Sequence, residues 1–246
     1  MRQKKQQRRR RRAGTRLIKW ACFGLLCCFL FLLLVGPAGE SETFPESLLE
    51  LLEKNPEARE FVMNYAENKD KEWDRDVSEE VTKGEIPLFL QWDERWGYET
   101  YGGDFLAVTG CGPTCLSMVV CGLTGDIKWN PYEVAKWAEA QGYYVEGSGS
   151  AWDLMVSGAE HFGLASEELV FDEGHILAAL ESGIPIVCAM RPGDFTTGGH
   201  FLVLTGVDEK GEIHLNDPNS PEKSAQSWKL EELMPQIKNL WMLRLA

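Results

Sequence analysis

The chain has 246 residues, of which 44% are hydrophobic and 26% charged, and its formal net charge is −13. Of its 25 basic residues, ten lie in residues 1–19, which contain no acid, so residues 20–246 set 15 basic against 38 acidic side chains and carry −23. So acidic a body excludes general affinity for DNA, RNA or anionic lipid.

The ten basic residues at the head are Arg2, Lys4, Lys5, residues 8–12, Arg16 and Lys19. They precede Ala21–Val35, an uncharged apolar run of 15 residues. A membrane-spanning helix needs about 20 residues, and Leu17, Ile18 and Trp20 extend the run if the Lys19 side chain snorkels. A basic flank stays cytoplasmic, so the remainder of the chain is expected outside the cell membrane. Gly36-Pro37-Ala38 ends on a small residue and also fits a cleaved signal peptide. Residues 1–19 therefore read as a cytoplasmic n-region and 20–38 as a signal peptide or, the preferred reading, an uncleaved anchor. Cys27 and Cys28 lack the preceding small residue of a lipoprotein site. Residues 40–83 read as an acidic helical lead-in or stalk, with one helix opening at Glu46 or Ser47 and another after Asn55-Pro56. Residues 84–246 are ample for one core.

Within that core, Thr109-Gly110-Cys111-Gly112-Pro113-Thr114-Cys115-Leu116-Ser117-Met118 reads as a glycine-hinged turn opening a buried helix. Pro113 has the fixed φ suited to the first helical positions. A thiol at Cys111 meets the free N–H groups and positive dipole end of that helix, which favour the nucleophilic thiolate. Ninety residues on, His200 follows Gly198-Gly199 and opens an apolar strand. Asp208-Glu209-Lys210-Gly211 reads as a hairpin turn into Ile213-His214-Leu215-Asn216-Asp217-Pro218. If Val207 pairs with Glu212, Leu202 stands opposite Asp217, and Asp217 is the diagonal neighbour of His200 on one sheet face. A slip of two residues would separate them. A helix-start cysteine, a histidine and an orienting carboxylate are the parts of a nucleophile–base–orienter set.

The segments GCGPTCLSMV, GGHFLVLTG and NDPNS resemble the papain-like cysteine peptidases related to the double-glycine leader peptidases of bacteriocin exporters. They are most similar to the stand-alone, secreted or membrane-anchored branch. The resemblance runs from about Ile86 to the C-terminus, and the lead-in FPESLLELLEKNPEAREFV is similar to the segment preceding such domains. It implies a papain-like α+β fold, with Cys111 as nucleophile, His200 as general base and Asp217 orienting it. Gln91 matches the glutamine that donates to the oxyanion. An acyl-transfer site needs donors aimed at the developing negative oxygen, so an amide there has its own chemical rationale.

Cys115, one turn after Cys111, is a rival nucleophile, but the helix start carries the free N–H groups. Buried free thiols are expected for Cys115, Cys121 and Cys188. His214 is the rival to His200, and its alternation with Asp217 points it to the other sheet face. His161 reads as structural, at a helix end, and His175 as solvent-facing, in a helix's first turn. No CxxC pair or HxxxH motif is present, so neither metal nor cofactor is expected. The loop Arg191–Thr197 and Gly147-Ser148-Gly149 read as rims of the cleft or as plain turns.

The remaining pattern predicts helices from Asn130-Pro131 to about Ala140, from Ser150 through Ala159, over Glu173–Glu181, and near Leu230–Ile237. Strands are predicted at Pro185–Met190, His200–Val207, Ile213–Asn216 and Leu240–Leu245. Helices first and an antiparallel sheet later is an α+β order. The expected function is an extracytoplasmic cysteine peptidase acting on a peptide or protein substrate, held at the membrane through its N-terminal segment or secreted. Two alternatives stay open: amide or thioester acyl transfer on cell-wall or small-molecule substrates, and a non-catalytic peptide-binding module.

Overall fold

A computed structural model describes residues 44–246 of the chain. The basic head and the apolar segment at 20–38 lie outside the described residues. Among those described, no helix is long and apolar enough to cross a membrane.

The lead-in folds as α1 (Glu46–Lys54), a 3-10 turn (Pro56–Ala58), α2 (Arg59–Met63) and α3 (Tyr65–Asn68). Helix α1 is amphipathic: Leu48 and Leu51 are buried while Leu49 faces solvent. With Ala58, Phe61 and Val62 they pack on Tyr98 and Ala107, and the Tyr98 hydroxyl donates to the Phe61 carbonyl at 2.6 Å. The stretch after α3 is tied down by charge. Arg95 pairs with Glu80 at 2.6 Å and Asp93 at 2.8 Å, and Arg75 stacks 3.8 Å over the Tyr132 ring. The lead-in thus packs against the body of the domain.

A small hairpin, β1 (Thr100–Tyr101) and β2 (Asp104–Phe105), leads into the single-turn α4 (Leu106–Thr109) and the long α5 (Cys111–Thr124). Residues 112–122 of α5 are all buried, as expected of a helix that is apolar on every side. Helix α6 (Pro131–Ala140) starts as predicted, with the Asn130 side chain accepting from the Glu133 N–H at 3.2 Å. A second hairpin, β3 (Tyr144–Val145) and β4 (Gly149–Ser150), is followed by a 3-10 turn (Trp152–Met155) and α7 (Ser157–His161).

The second half forms a sheet of β5 (Leu164–Glu168), β6 (Ile186–Met190), β7 (His200–Val207), β8 (Ile213–Asn216) and β9 (Ile237–Leu245). Its order is β5-β9-β6-β7-β8, with every neighbouring pair antiparallel. Helices α8 (Glu173–Glu181), α9 (Pro221–Ser224) and α10 (Leu230–Leu233) connect the strands. Side chains alternate between two core layers. Val187, Ala189, Phe201, Val203 and Trp241 face α5 residues such as Leu116 and Val119. Ile186, Cys188, Leu202, Leu204 and Leu215 face Ile176 and Leu180 of α8 on the other side. Each large apolar side chain so buried contributes about 1.5–3 kcal/mol. The architecture is the α+β order expected.

The structure departs from the sequence reading in four places. Ser150 does not open a helix: it is a β4 residue, and a break at Val156 separates the 3-10 turn from α7. Strand β5 was not predicted, because LASEE has no apolar alternation and is a strand only through its pairing with β9. The late helix ends at Leu233 and passes through a 3-10 turn, so β9 begins at Ile237 rather than Leu240. In the β7–β8 hairpin, Val207 stands opposite Ile213, not Glu212. The Asp208 carboxylate accepts from the N–H groups of Lys210 and Glu212, closing a loop one residue longer. A bulge at Thr205 then takes up the difference, and Val203 pairs with Asn216. Val203 opposite Asn216 is the register the simple hairpin would also have given, so the expected alignment arises from two irregularities that cancel.

Candidate active site

Cys111 is the first residue of α5, with Gly110 as N-cap. The flanking glycines are required for space rather than for a sharp turn, since neither has positive φ. A β-carbon on Gly110 would lie 2.4 Å from the Leu106 carbonyl oxygen, and one on Gly112 would lie 2.4 Å from Ser150 Oγ. Gly112 therefore lets β4 pass directly over the helix start. Ser150 Oγ also shares a 2.8 Å hydrogen bond with the Tyr101 hydroxyl, and the Tyr101 ring packs edge-on against Tyr144. Burial, eased by the Ser150 hydrogen bond, pushes the Tyr101 phenol up, so it stays protonated. Thr109 Oγ1 donates to the Tyr101 carbonyl at 2.8 Å. This wall holds the nucleophile turn from one side.

His200 begins β7, opposite Met190 of the central strand, and is 8% exposed. Its Nε2 lies 2.6 Å from Oδ1 of Asp217, which is wholly buried. Asp217 sits just past β8. Its N–H donates to Ser224 Oγ at 2.9 Å, its carbonyl accepts from the Ser220 N–H at 3.1 Å, and its Oδ1 accepts a second bond from the Asn219 N–H at 2.8 Å. Ser220 caps α9 and Pro221 follows at its first position, a local signal for the turn that carries the acid.

Burial by itself drives the His200 ring toward the neutral form. The charge and hydrogen bond of Asp217 outweigh it, with a smaller contribution from nearby Cys111, so the imidazolium is held well above its ordinary range. Nε2 is committed to Asp217, which leaves Nδ1 as the ring nitrogen free to serve the thiol.

Gln91 is 3% exposed and spans the two segments that meet here. Its Nε2 donates to the Ala107 carbonyl, four residues before Cys111, at 2.7 Å. Its backbone N–H donates to the Pro218 carbonyl, next to Asp217, at 2.7 Å. One amide hydrogen is thus engaged and the second is free to point elsewhere. Asn216 Nδ2 adds 3.0 Å bonds to the Ile86 and Pro87 carbonyls, pinning the segment that leads to Gln91.

Residues 83–243 match the Peptidase C39-like family. The chain belongs to that family. No match was found among curated proteins. Among solved structures, the chain is similar to a double glycine motif protease from an AMS/PCAT transporter, solved in complex with the leader peptide. The identity is 19%, the match covers 67% of this chain and 94% of that one, and the TM-score is 0.44.

In this C39-like chain the four predicted residues fall in one region: His200 bonds Asp217, Cys111 lies close enough to act on the His200 ring, and Gln91 ties the segments that carry Cys111 and Asp217. The rivals lie elsewhere. Cys115 is fully buried, and burial raises its thiol well above the ordinary range; Cys121 and Cys188 are buried and raised as well. All four cysteines among the described residues are free, and Cys111 alone of them is partly exposed. His214 is exposed on β8, His175 bonds Asp172 at 3.0 Å, and His161 stacks on Trp137. Among the described residues no cluster of His, Cys, Asp or Glu forms a metal site. The sequence reading placed none of Asn219, Ser224, Ser150 and Tyr101 at the site. Ser220-Pro221 was a legible capping signal, whereas the packing of Ser150 on Gly112 is a contact between distant segments.

Proposed function

We propose that this chain is a cysteine peptidase acting outside the cytoplasm, with Cys111 as nucleophile, His200 as general base and Asp217 as its orienting group. The observation that carries the reading is the buried His200–Asp217 pair, with Cys111, a partly exposed thiol at a helix start, close enough to act on the ring. His200, held as imidazolium by Asp217, already carries the proton of Cys111 as an ion pair, and the thiolate attacks a peptide carbonyl carbon. The carbonyl electrons move to oxygen, where the Cys111 N–H and the second Nε2 hydrogen of Gln91 are the donors we assign to the oxyanion. The imidazolium passes its proton to the leaving amine as the C–N bond breaks, giving a thioester and a free amine. Water then loses a proton to His200 and adds to the thioester carbon. Collapse releases the acid and restores the ion pair, with that proton on His200. Asp217 keeps the ring in the tautomer and orientation this cycle needs.

The extracytoplasmic placement rests on the basic head and apolar run of residues 1–35, and the acidic remainder is consistent with a peptide rather than a nucleic-acid ligand. The decisive test is turnover of a fluorogenic peptide library by the chain and by Cys111→Ala. Loss of turnover in the variant, with its circular dichroism unchanged, supports the reading. Retained turnover in Cys111→Ala, or its loss in Cys115→Ala alone, sinks it.

A further inference from the structure

We propose that Asn55, in the lead-in that precedes the family match, is a positioning residue for the Asp217 carboxylate. The inference rests on the peptidase reading above and adds a part to that site. Asn55 is polar yet only 7% exposed, and its partner lies 164 residues away. Its Oδ1 accepts from the Glu57 N–H at 3.0 Å and caps the 3-10 turn. Its Nδ2 donates to the carbonyl oxygen of Asn219 at 2.6 Å and to Asn219 Oδ1 at 3.0 Å. The cap alone needs only an oxygen, and Asp or Ser would supply it. The amide does more than a hydroxyl could: Oδ1 accepts the cap bond while Nδ2, a separate atom with two hydrogens, donates to both Asn219 oxygens.

Asn219 passes this hold to the site. Its N–H donates to Asp217 Oδ1 at 2.8 Å, the same atom that faces His200 Nε2. Asp217 Oδ2 is buried and has no hydrogen-bond partner among the described residues. The rotation of the carboxylate is therefore set at Oδ1, by His200 and by Asn219. Two donors fix the Asn219 carbonyl: Asn55, and Trp92 Nε1 at 3.1 Å. The lead-in also grips the next residues. The Glu57 carboxylate accepts from the Ser220 hydroxyl and from the Glu222 N–H at 2.9 Å. Asn55 touches no reacting atom. It acts through Asn219 on the direction in which Asp217 points.

The test is Asn55→Asp in the full-length chain in detergent micelles. This variant keeps the capping oxygen and the side-chain size, but sets an acceptor against the two Asn219 oxygens. Two readouts are followed: peptide turnover, and the ring signal of His200 under histidine-selective labelling. The chain has four histidines, and the His200 signal is the one lost in His200→Asn. The folded variant is expected to lose about tenfold in kcat at unchanged KM, since small misplacements of catalytic groups are costly. Its His200 signal is expected to titrate at lower pH than in the unmodified chain. A folded Asn55→Asp chain whose His200 titration is unchanged, or moves upward, overturns the inference. If Asn55→Asp does not fold, Trp92→Phe removes the other donor to the same carbonyl without adding charge. It must shift the His200 titration in the same direction, and an unchanged titration there is equally fatal. The ring signal reads the pair without any substrate. Absence of turnover in the unmodified chain is thus a failure of the peptidase reading, distinct from an unmoved His200 signal.

Discussion

His200 and Asp217 meet at 2.6 Å between strands whose turn is one residue longer than the sequence pattern suggests and whose bulge at Thr205 restores the register. The pair is almost wholly enclosed, with side-chain exposures of 7% and 1%. Replacing Asp217 with Ala leaves an imidazole buried without its partner, and breaking such a pair costs about 3–5 kcal/mol. Asp217→Asn keeps the shape and removes the charge. It is expected to unfold at a denaturant concentration between those of the parent and Asp217→Ala, and to lose about 10²–10⁴-fold in turnover. Urea titration and single-turnover kinetics on the three chains check the order.

Stability should depend on pH through His200. Its folded value is raised above the ordinary 6.5, because the attraction and hydrogen bond of Asp217 outweigh burial. The stabilisation from this group is then fully present below pH 6.5 and declines as pH rises through the raised folded value. Urea unfolding of the chain and of His200→Asn, compared from pH 6 upward, is expected to show the largest difference at the acidic end. A difference that grows with pH would contradict the assigned charge state.

Thiol mapping should separate Cys111 from its neighbours. Burial pushes the Cys121 thiol up to about 12 and Cys115 well above the ordinary range, while Cys111 is partly exposed beside His200. Brief alkylation at pH 7 followed by peptide mass mapping is expected to modify Cys111 alone among the four described cysteines, and to slow sharply in His200→Ala. Cys115→Ala is expected to cost about 1–2 kcal/mol of stability and to leave turnover within a few-fold. Fast labelling of Cys115 would mean that the helix face has been read wrongly.

Gly112 and Ser150 form a close-packed pair that a double-mutant cycle can expose. A β-carbon at 112 would sit 2.4 Å from Ser150 Oγ and 2.7 Å from Ser150 Cβ. Gly112→Ala is expected to destabilise the domain by about 1–3 kcal/mol through overpacking and to depress turnover by displacing the helix start. Ser150→Gly in the same chain removes both offending atoms and should restore much of the loss, a favourable coupling that thermal denaturation of the four chains measures. Additive effects would show that the two residues do not press on each other.

Much of this protein was legible in its sequence, because local rules govern it. The Asn130-Pro131 cap, the apolar runs of β6 and β7 and the turn at Asp208–Gly211 each declare themselves within a few residues. A thiol at a helix start, a histidine at a strand start and an acid at a strand end were legible for the same reason. Strand β5 was not, since its residues gain strand geometry only from the edge of β9. The hairpin register was reached by a path the sequence did not show, because a bulge is decided by which side chains the two core layers accept. The tertiary structure alone set Ser150 against Gly112, strung Gln91 between Ala107 and Pro218, and brought Asn55 to Asn219. These contacts join segments far apart in the chain, and no local propensity encodes them. They form only once burial of the shared core has already brought the segments together.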